Sequence, residues 1–284
     1  MRSKLWPVQS ATTGGVKLIG WLHAARRLQR IGLVLARHGF GEVVARVGLY
    51  VPRLPGSEPP PPSSERMAAR LVEVLTELGP TYVKLGQLLA TRADLLPPAF
   101  VQALGRLHAD VSPLPSREIA RAIERELGRP PEQLFAHFER ECLAAASIGQ
   151  VHRARLHDGS EVVVKVQRPG LRAQVEADLS IMRLFAQLLA QHMPELAAYQ
   201  PLALVDAFAA SIRLELDFRN EAANAARLRE VLGGAPEVHV PRVYPEWTRE
   251  RVLVLEFVAG TRLLALAPAA RGHARKALLR AFVR

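Results

Sequence analysis

The stretch at residues 143–170, "LAAASIGQVHRARLHDGSEVVVKVQRPG", constrains the fold most strongly. Two runs rich in β-forming residues flank His157-Asp158-Gly159, and an Asp-Gly pair between such runs is a strong hairpin signal. The second run, Val162–Val166, is a compact apolar strand that carries one charge, Lys165. The stretch therefore predicts an antiparallel strand pair with a lysine near the end of its second strand.

Helical patterns surround this β-rich stretch. Ser63 or Ser64 is placed to cap a helix through Leu78, Gly79 suits its C-terminal end, and Pro80 suits the first turn of the next helix. That next helix contains a Lys-x-Gly-Gln sequence and is expected to stop near Pro97. The pattern predicts three further helices: Ser116–Leu127, Val175–His192 and Leu202–Leu232. It also predicts another strand pair within residues 239–260, whose second strand is Arg251–Val258.

The composition is that of a globular protein. The chain has 284 residues, of which 49% are hydrophobic and 23% charged, enough for one large or two small domains. The sequence contains no run of 18 uncharged apolar residues, so it predicts no membrane-spanning helix. The single Cys142 excludes an internal disulfide and a multi-cysteine metal site, and it fits a reducing compartment.

Positive charge is concentrated at the N-terminus. The net charge is +11, and Met1–Gly56 contains nine Lys or Arg residues against one acid, Glu42, with apolar residues at helical spacing. A basic amphipathic helix favours a membrane surface or a partner, and the alternative is a solvated helix packed on its own domain. Nucleic acid is not expected as a partner, because no binding motif or aromatic interleaving is present.

Lys165 has two interpretations. A lone lysine in an apolar strand is commonly an edge residue whose charged end reaches solvent. Here a small-residue turn precedes it, a helix with acids follows it, and a hydrophobic strand ends at Glu256. This is the order of elements in a protein-kinase N-lobe, in which the lysine holds nucleotide phosphates and a helix glutamate holds the lysine.

The small-residue turn departs from the kinase glycine-rich loop. Aligned with G-x-G-x-x-G-x-V, it places Ala144, Ala146, Gly149 and Val151 at the defining positions. Two of the three glycines are alanines, whose Cβ atoms restrict positive φ and close backbone approach. The loop is therefore expected to hold a triphosphate differently, and the alternative is a plain β-turn.

Three acids in "SIRLELDFRNEAANAARLRE" are candidates for binding lysines. On one continuous helix, Asp217 and Glu221 share a face at i, i+4. Glu215 lies about a third of a turn from Glu221 around the helix axis. Such a helix presents carboxylates to two different cations. The alternative is a solvated charged face.

These features together resemble the UbiB-like (AarF-type) family of atypical kinases. Four of them match in order: K-x-G-Q at Lys84–Gln87, the alanine-rich loop at Ala144–Ser147, "VVVKVQRPG", and the E-x-D of "LELDFRNEA". "LEFVAG" resembles the hinge of the family. The resemblance covers Glu65–Arg284, and the pairing of K-x-G-Q with E-x-D is specific.

The resemblance implies roles for individual residues. Lys165 and Glu221 are the expected catalytic pair. The K-x-G-Q helix is expected to belong to an extension that covers the active site, with Lys84 held by Glu215 or Asp217. Gly86 would allow close approach to the lobe, and Gln87 would reach toward the nucleotide. The residues expected to bind nucleotide are Ala144, Ala145, Ala146, Ser147, Val151, Lys165, Glu256 and Val258.

The resemblance also implies a function. The chain is expected to be the ATP-binding or ADP-binding portion of an atypical kinase or ATPase that supports ubiquinone biosynthesis at a membrane. The alternative is a membrane-docked pseudokinase or scaffold that binds nucleotide without turnover. The expected partners are ATP, an anionic membrane surface, and quinone-biosynthesis proteins or a lipid. The expected location is cytoplasmic and peripheral, at the inner face of a membrane.

The expected fold is α+β: a kinase-like N-lobe with an antiparallel sheet and helices, covered by a helical N-terminal extension. No DFG occurs in the sequence, and no H-x-D follows the predicted N-lobe, so the magnesium ligands that the family implies are not expected here, nor is magnesium-dependent ATP hydrolysis. The kinase C-lobe is expected to be missing, as in a fragment. The predicted division is 1–56 (basic segment), 57–64 (Pro/Ser linker), 65–140 (helical extension), 141–262 (N-lobe) and 263–284 (start of a C-lobe).

Overall fold

The computed structural model describes residues 26–41, 63–107, 112–233, 238–261, 265–267 and 270–276. The chain forms two compact units. The helical unit comprises Met1–Leu107 and Ala173–Phe208, and the sheet unit comprises His108–Arg172 and Ala209–Arg284. This division differs from the predicted one, in which the helical extension ends at residue 140 and residues 141–262 stay together.

The sheet unit is built on one antiparallel sheet of four strands in the order β1-β2-β3-β4. The strands are β1 His137–Ala145, β2 Gly149–Arg155, β3 Glu161–Gln167 and β4 Val252–Glu256. The first run of the predicted C-terminal strand pair is reduced to a single bridge between Val243 and Leu255. Together with the helices described below, this sheet confirms the predicted α+β class.

Nine helices are described besides short 3-10 segments, the π-helix Ala36–Phe40 and a helical stretch at residues 270–276. In chain order they are α1 (26–35), α2 Ser64–Leu78, α3 Pro80–Ala90, α4 Pro98–Leu104, α5 Ser116–Leu127, α6 Pro131–Leu134, α7 Leu171–His192, α8 Pro201–Glu215 and α9 Phe218–Leu232. Several predicted ends are confirmed. Ser63 caps α2 by accepting from the backbone N–H of Arg66, and Gly128 ends α5 with a left-handed φ of 80°.

The predicted β2–β3 hairpin is confirmed. The backbone N–H of Leu156 donates to the carbonyl of Ser160 at 2.9 Å, and Gly159 supplies the positive φ of 90° that the turn requires. The Asp158 carboxylate accepts from the backbone N–H of Ser160, and this hydrogen bond lowers the pKa of Asp158. The Asp-Gly pair thus sets the register that places Lys165 on β3.

Alternation along β3 decides which way Lys165 points. Val162, Val164 and Val166 are fully buried and pack in a cluster that includes Ile119 and Ile123 of α5. Because side chains alternate between the faces of a strand, Lys165 lies on the opposite face from these valines. The apolar pattern that stabilises the sheet therefore also fixes the side on which the lysine is available.

The predicted helix Leu202–Leu232 is wrong in one respect, because it breaks in the middle. α8 ends at Glu215, and Asp217 has an extended backbone and serves as the N-cap of α9. Aspartate favours caps because its short carboxylate binds the first free N–H groups of a helix. Asp217 and Glu221 therefore do not lie at i, i+4 on one continuous helix.

The helical unit explains the glycine of K-x-G-Q. A Cβ on Gly86 would clash with side chains of Leu75 and Leu107, so the close approach that it permits is to leucines of its own unit. α3 ends at Ala90, earlier than the predicted stop near Pro97. The structure therefore gives Gly86 a packing role within the unit.

Some predictions fall outside the described part of the chain. Of the basic segment 1–56, only residues 26–41 are described; the linker residues 57–62 and most of 263–284 are likewise outside it. Among the helices that are described, none combines the length and the apolar character needed to cross a membrane.

Candidate functional site

The centre of the candidate site is an ion pair in the sheet unit. The Lys165 ammonium lies 2.6 Å from a carboxylate oxygen of Glu221, which α9 contributes from its first turn. The side chains are 29% and 46% exposed, so solvent and solutes reach both. The Lys165 nitrogen also lies 4.7 Å from the ring centroid of Phe218, at a distance that fits a cation–π contact. Strand β3 and helix α9 thus hold the lysine in place while leaving it accessible.

The alanine-rich turn lies between β1 and β2. Ala144 and Ala145 end β1, and the backbone N–H of Ala146 donates to the carbonyl of Gly149 at 2.8 Å to close a tight turn. Ser147 is 2% exposed. A Cβ on Gly149 would lie 2.5 Å from the carbonyl oxygen of Val166, so only glycine fits there. The third glycine of the motif therefore has a structural cause in the approach of β2 to β3.

Arg168, which sequence reasoning did not single out, pins this turn. Its side chain donates to the carbonyls of Ala146 and Ser112, each at 3.0 Å, and its backbone N–H donates to the carbonyl of Ile148 at 3.0 Å. Two of these contacts hold the turn against the end of β3, and the third joins Arg168 to the segment before α5. The sequence feature that could have indicated this role is the arginine of "QRPG", directly after β3.

Several polar groups at the end of β4 are already hydrogen-bonded within the protein. The N–H groups of Glu256 and Phe257 donate to the carbonyls of Arg242 and Glu161. The Glu256 carboxylate accepts from the backbone N–H of Arg242, and this hydrogen bond is the main reason that the pKa of Glu256 is lowered. Val258 lies beyond the strand and is 49% exposed. The binding of nucleotide by Glu256 and Val258 stays a prediction.

The remaining nucleotide candidate, Val151, pairs with Lys165 across β2 and β3 and with Ala144 across β1 and β2. The sheet therefore brings Val151, Lys165 and the turn together on neighbouring strands. Directly paired residues on antiparallel strands have their Cβ atoms about 5 Å apart.

The residues of the expected cover are divided between the two units. Lys84, Gly86 and Gln87 lie in the helical unit, while Glu215 and Asp217 lie in the sheet unit. The Gln87 amide donates to the carbonyl of Leu107 at 3.2 Å. The binding of Lys84 by Glu215 or Asp217 stays a prediction.

Asp217 has a partner close by. Its carboxylate accepts from the Arg219 guanidinium at 2.9 and 2.7 Å and from the Arg219 backbone N–H at 3.0 Å. The side-chain hydrogen bond from Arg219 is the main reason that the pKa of Asp217 is lowered. Asp217 is therefore held as an anion at the start of α9.

The donor atoms do not fit the magnesium that the family implies. In the part of the chain that the structure describes, no three His, Cys, Asp or Glu side chains come together in a group that could hold a metal ion. Magnesium in phosphoryl-transfer sites is held by carboxylates together with phosphate oxygens. The described side chains alone therefore form no magnesium site.

The chain is similar to known proteins over most of its length. Residues 106–284 match the ABC1 atypical kinase-like domain family. The chain is 40% identical over 247 residues to the probable protein kinase UbiB of Pseudomonas aeruginosa, covering 84% of this chain and 46% of that protein. It is 42% identical over 191 residues to the probable protein kinase UbiB of Marinobacter nauticus, covering 67% of this chain and 35% of that protein.

A solved structure has a similar fold. Rv3197 of Mycobacterium tuberculosis, in complex with erythromycin, superposes with a TM-score of 0.50 at 32% identity, covering 70% of this chain and 50% of that chain. The present chain spans less than half the length of the curated relatives described above. The kinase-like sheet with helices is confirmed by the family match and this structure. The chain therefore belongs to the ABC1, or UbiB-like, family of atypical kinases.

Proposed function

We propose that the chain is the nucleotide-binding portion of an atypical kinase or ATPase that supports ubiquinone biosynthesis at a membrane. The observation that carries the proposal is the accessible Lys165–Glu221 pair beside the alanine-rich turn. In kinases a strand lysine paired with a helix glutamate positions the nucleotide phosphates. The relatives named as probable protein kinases support the same class of activity.

The pair explains how Lys165 would serve a phosphate. An ammonium has three donors, and the short contact to Glu221 uses one of them. The others are available to α- or β-phosphate oxygens of ATP or ADP. Glu221 keeps the lysine charged and oriented, so the lysine meets the phosphate without first losing rotamer freedom.

The turn would set the preference between nucleotides. Arg168 donates to the carbonyl of Ala146, and alanines replace two of the three glycines of the motif. The turn therefore has less conformational freedom to fold over a γ-phosphate than a glycine-rich loop has. We therefore expect the chain to bind ADP at least as tightly as ATP. Ala146→Gly should raise the ATP affinity relative to the ADP affinity.

Calorimetric titration of ATP and ADP into the intact chain tests the function. Lys165→Met should lower the affinity for both nucleotides by about tenfold or more, because a charge-assisted hydrogen bond is lost. Lys276→Met, at an exposed position, removes the same charge and should leave both affinities unchanged. Equal nucleotide binding by the Lys165→Met variant and the unchanged protein would refute the assignment.

The membrane part of the proposal rests on the basic segment Met1–Gly56. Two of its arginines are used internally, since Arg27 pairs with Asp178 and Arg37 with Glu77. The remaining basic residues would attract an anionic inner membrane face, each contributing about 1 kcal/mol. Sedimentation with anionic and neutral vesicles, at low and high salt, checks this part. Binding that ignores both lipid charge and salt would contradict it.

A further inference from the structure

A groove lies between α9 and the segment that precedes β4. On α9 it is lined by the small side chains Ala222, Ala223 and Ala226, and the opposite wall is formed by Pro241, Arg242, Val243, Pro245 and Thr248. At 100° per residue these alanines lie on average well over a quarter turn around the helix from Glu221. The cavity is about 620 Å³, within the range of pockets that bind ligands.

Three arginines are among the residues that line this groove, Arg219, Arg229 and Arg242, and Glu230 is the acidic residue among them. Each arginine is steadied by a local contact. Arg219 is held by Asp217, Arg229 donates to the carbonyl of Val240, and Arg242 lies over the Tyr244 ring. A guanidinium has five donors, so these contacts leave several for a ligand. The groove is therefore an ordered, positively charged site.

We propose that this groove binds a short acidic peptide segment of a partner protein. Carboxylates match the arginines in charge and in the bidentate geometry that guanidinium groups favour. The alanine lining allows a peptide backbone to lie close to α9, which large side chains would prevent. A concave groove suits an extended segment better than a membrane surface, which needs a broad exposed face.

The position of the groove gives its ligand a regulatory effect. α9 carries both Glu221 and residues that line the groove, so a peptide that contacts α9 also fixes the helix that holds Glu221. This second step rests on the proposed nucleotide function, because it assumes that Lys165 and Glu221 serve the phosphates. A bound peptide should raise nucleotide affinity, and nucleotide should raise peptide affinity by the same factor.

Fluorescence anisotropy of the intact chain tests the docking step. The probes are a labelled short peptide alternating Glu with Ala and a matched peptide with Gln in place of Glu. The acidic peptide should bind at least about tenfold more tightly, and added salt should weaken its binding. Arg229→Gln with Arg242→Gln should lower its affinity by about tenfold or more, whereas Arg121→Gln with Arg140→Gln, at exposed positions of the same unit, should not.

A second variant guards against misfolding. Ala226→Glu puts a carboxylate into the groove at an exposed helix position and should weaken the acidic peptide without removing an arginine. Equal binding of the two peptides, or binding unaffected by any groove variant, would overturn the proposal. Binding of anionic vesicles that depends on Arg229 and Arg242, without peptide binding, would overturn it in favour of a lipid headgroup.

The coupling step has its own readout. With acidic peptide present, the affinity for ADP should rise several-fold in the unchanged protein and stay constant in Glu221→Gln, which should still bind the peptide. Peptide binding in a protein that binds no nucleotide would refute the nucleotide function and leave the groove as a docking site. Nucleotide binding without peptide binding would refute the groove as a docking site and leave the nucleotide function intact.

Discussion

Two ion pairs, one in each compact unit, serve different purposes. In the helical unit, Arg27 and Asp178 pair through two hydrogen bonds of 2.6 and 3.0 Å, and the Asp178 side chain is fully buried. Thr81 also donates to Asp178 at 2.7 Å, and Arg27 donates to the carbonyl of Leu78. In the sheet unit, Lys165 and Glu221 share one hydrogen bond and are both partly exposed.

The difference shows how burial separates a structural charge pair from an exchangeable one. A buried carboxylate whose oxygens are all bound cannot accept a new partner without a large desolvation cost. A partly exposed pair is worth little to stability, so a phosphate can join it or displace a partner at small cost. The first pair is therefore expected to govern folding and the second to govern binding.

Asp178→Ala should produce the largest loss of stability. It leaves Arg27 with no carboxylate in a site where that side chain is only 15% exposed, and it removes the acceptor of Thr81. Breaking a buried pair by removing one partner costs about 3–5 kcal/mol of unfolding free energy. Urea denaturation followed by circular dichroism measures the loss.

The matched control is Asp206→Ala, since Asp206 pairs with Arg183 at the surface of the same unit, with 58% and 48% of the two side chains exposed. That change should cost less than about 1 kcal/mol. Similar losses for the two variants would mean that burial does not distinguish the pairs.

A pH-dependent loss of stability should be intermediate in size, and it arises in the sheet unit. His152 is fully buried, stacks on Phe138, and its Nδ1 lies 2.9 Å from the carbonyl of Glu139; Gln150 also contacts its ring. Burial lowers the pKa of His152 below its ordinary value of 6.5. Between the two pKa values the unfolded chain binds more protons, so stability falls as pH drops below about 6.5.

Measuring the unfolding free energy between neutral pH and mildly acidic pH tests this effect. His152→Gln should flatten the acidic slope, although it lowers stability at neutral pH. His157→Gln, in the exposed hairpin turn, should leave the slope unchanged. An unchanged slope in His152→Gln would assign the acid sensitivity to another group.

The sequence predicted the β2–β3 hairpin and β4 because their signals are local, whereas β1, His137–Ala145, was not predicted. Asp158-Gly159 requires a particular turn, and the alternating valines of β3 require one buried face. The same alternation put Lys165 on the accessible face. The break at Asp217 was missed because "LELDFRNEA" keeps helical periodicity on both sides, while the preference of aspartate for a helix cap outweighs that continuity.

The long-range contacts of both units were harder to predict because they join distant segments. Arg168 binds backbone carbonyls of Ala146 and Ser112, and carbonyls leave no mark in a sequence. The Arg27–Asp178 pair spans 151 positions, which no local pattern reports. The role of Gly86 was expected from the family motif, whereas its neighbours Leu75 and Leu107 emerge only from the packing of its own unit.

The smallest effect on stability should come from the pair that matters most for binding. Lys165→Met keeps an apolar side chain of similar length and loses one exposed ion pair and the contact with Phe218, which together are worth roughly 1 kcal/mol. Glu221→Gln should cost less, because it keeps a side chain of the same shape. A double-mutant cycle on the unfolding free energy should give a coupling of about 0.2–1 kcal/mol.

The affinity of the Lys165→Met variant for nucleotide should nonetheless fall by about tenfold or more, since the phosphate loses its cation. A coupling as large as the loss of about 3–5 kcal/mol expected for Asp178→Ala, together with unchanged nucleotide affinity, would show that the Lys165–Glu221 pair is a second structural anchor and that the contrast between the two units is false.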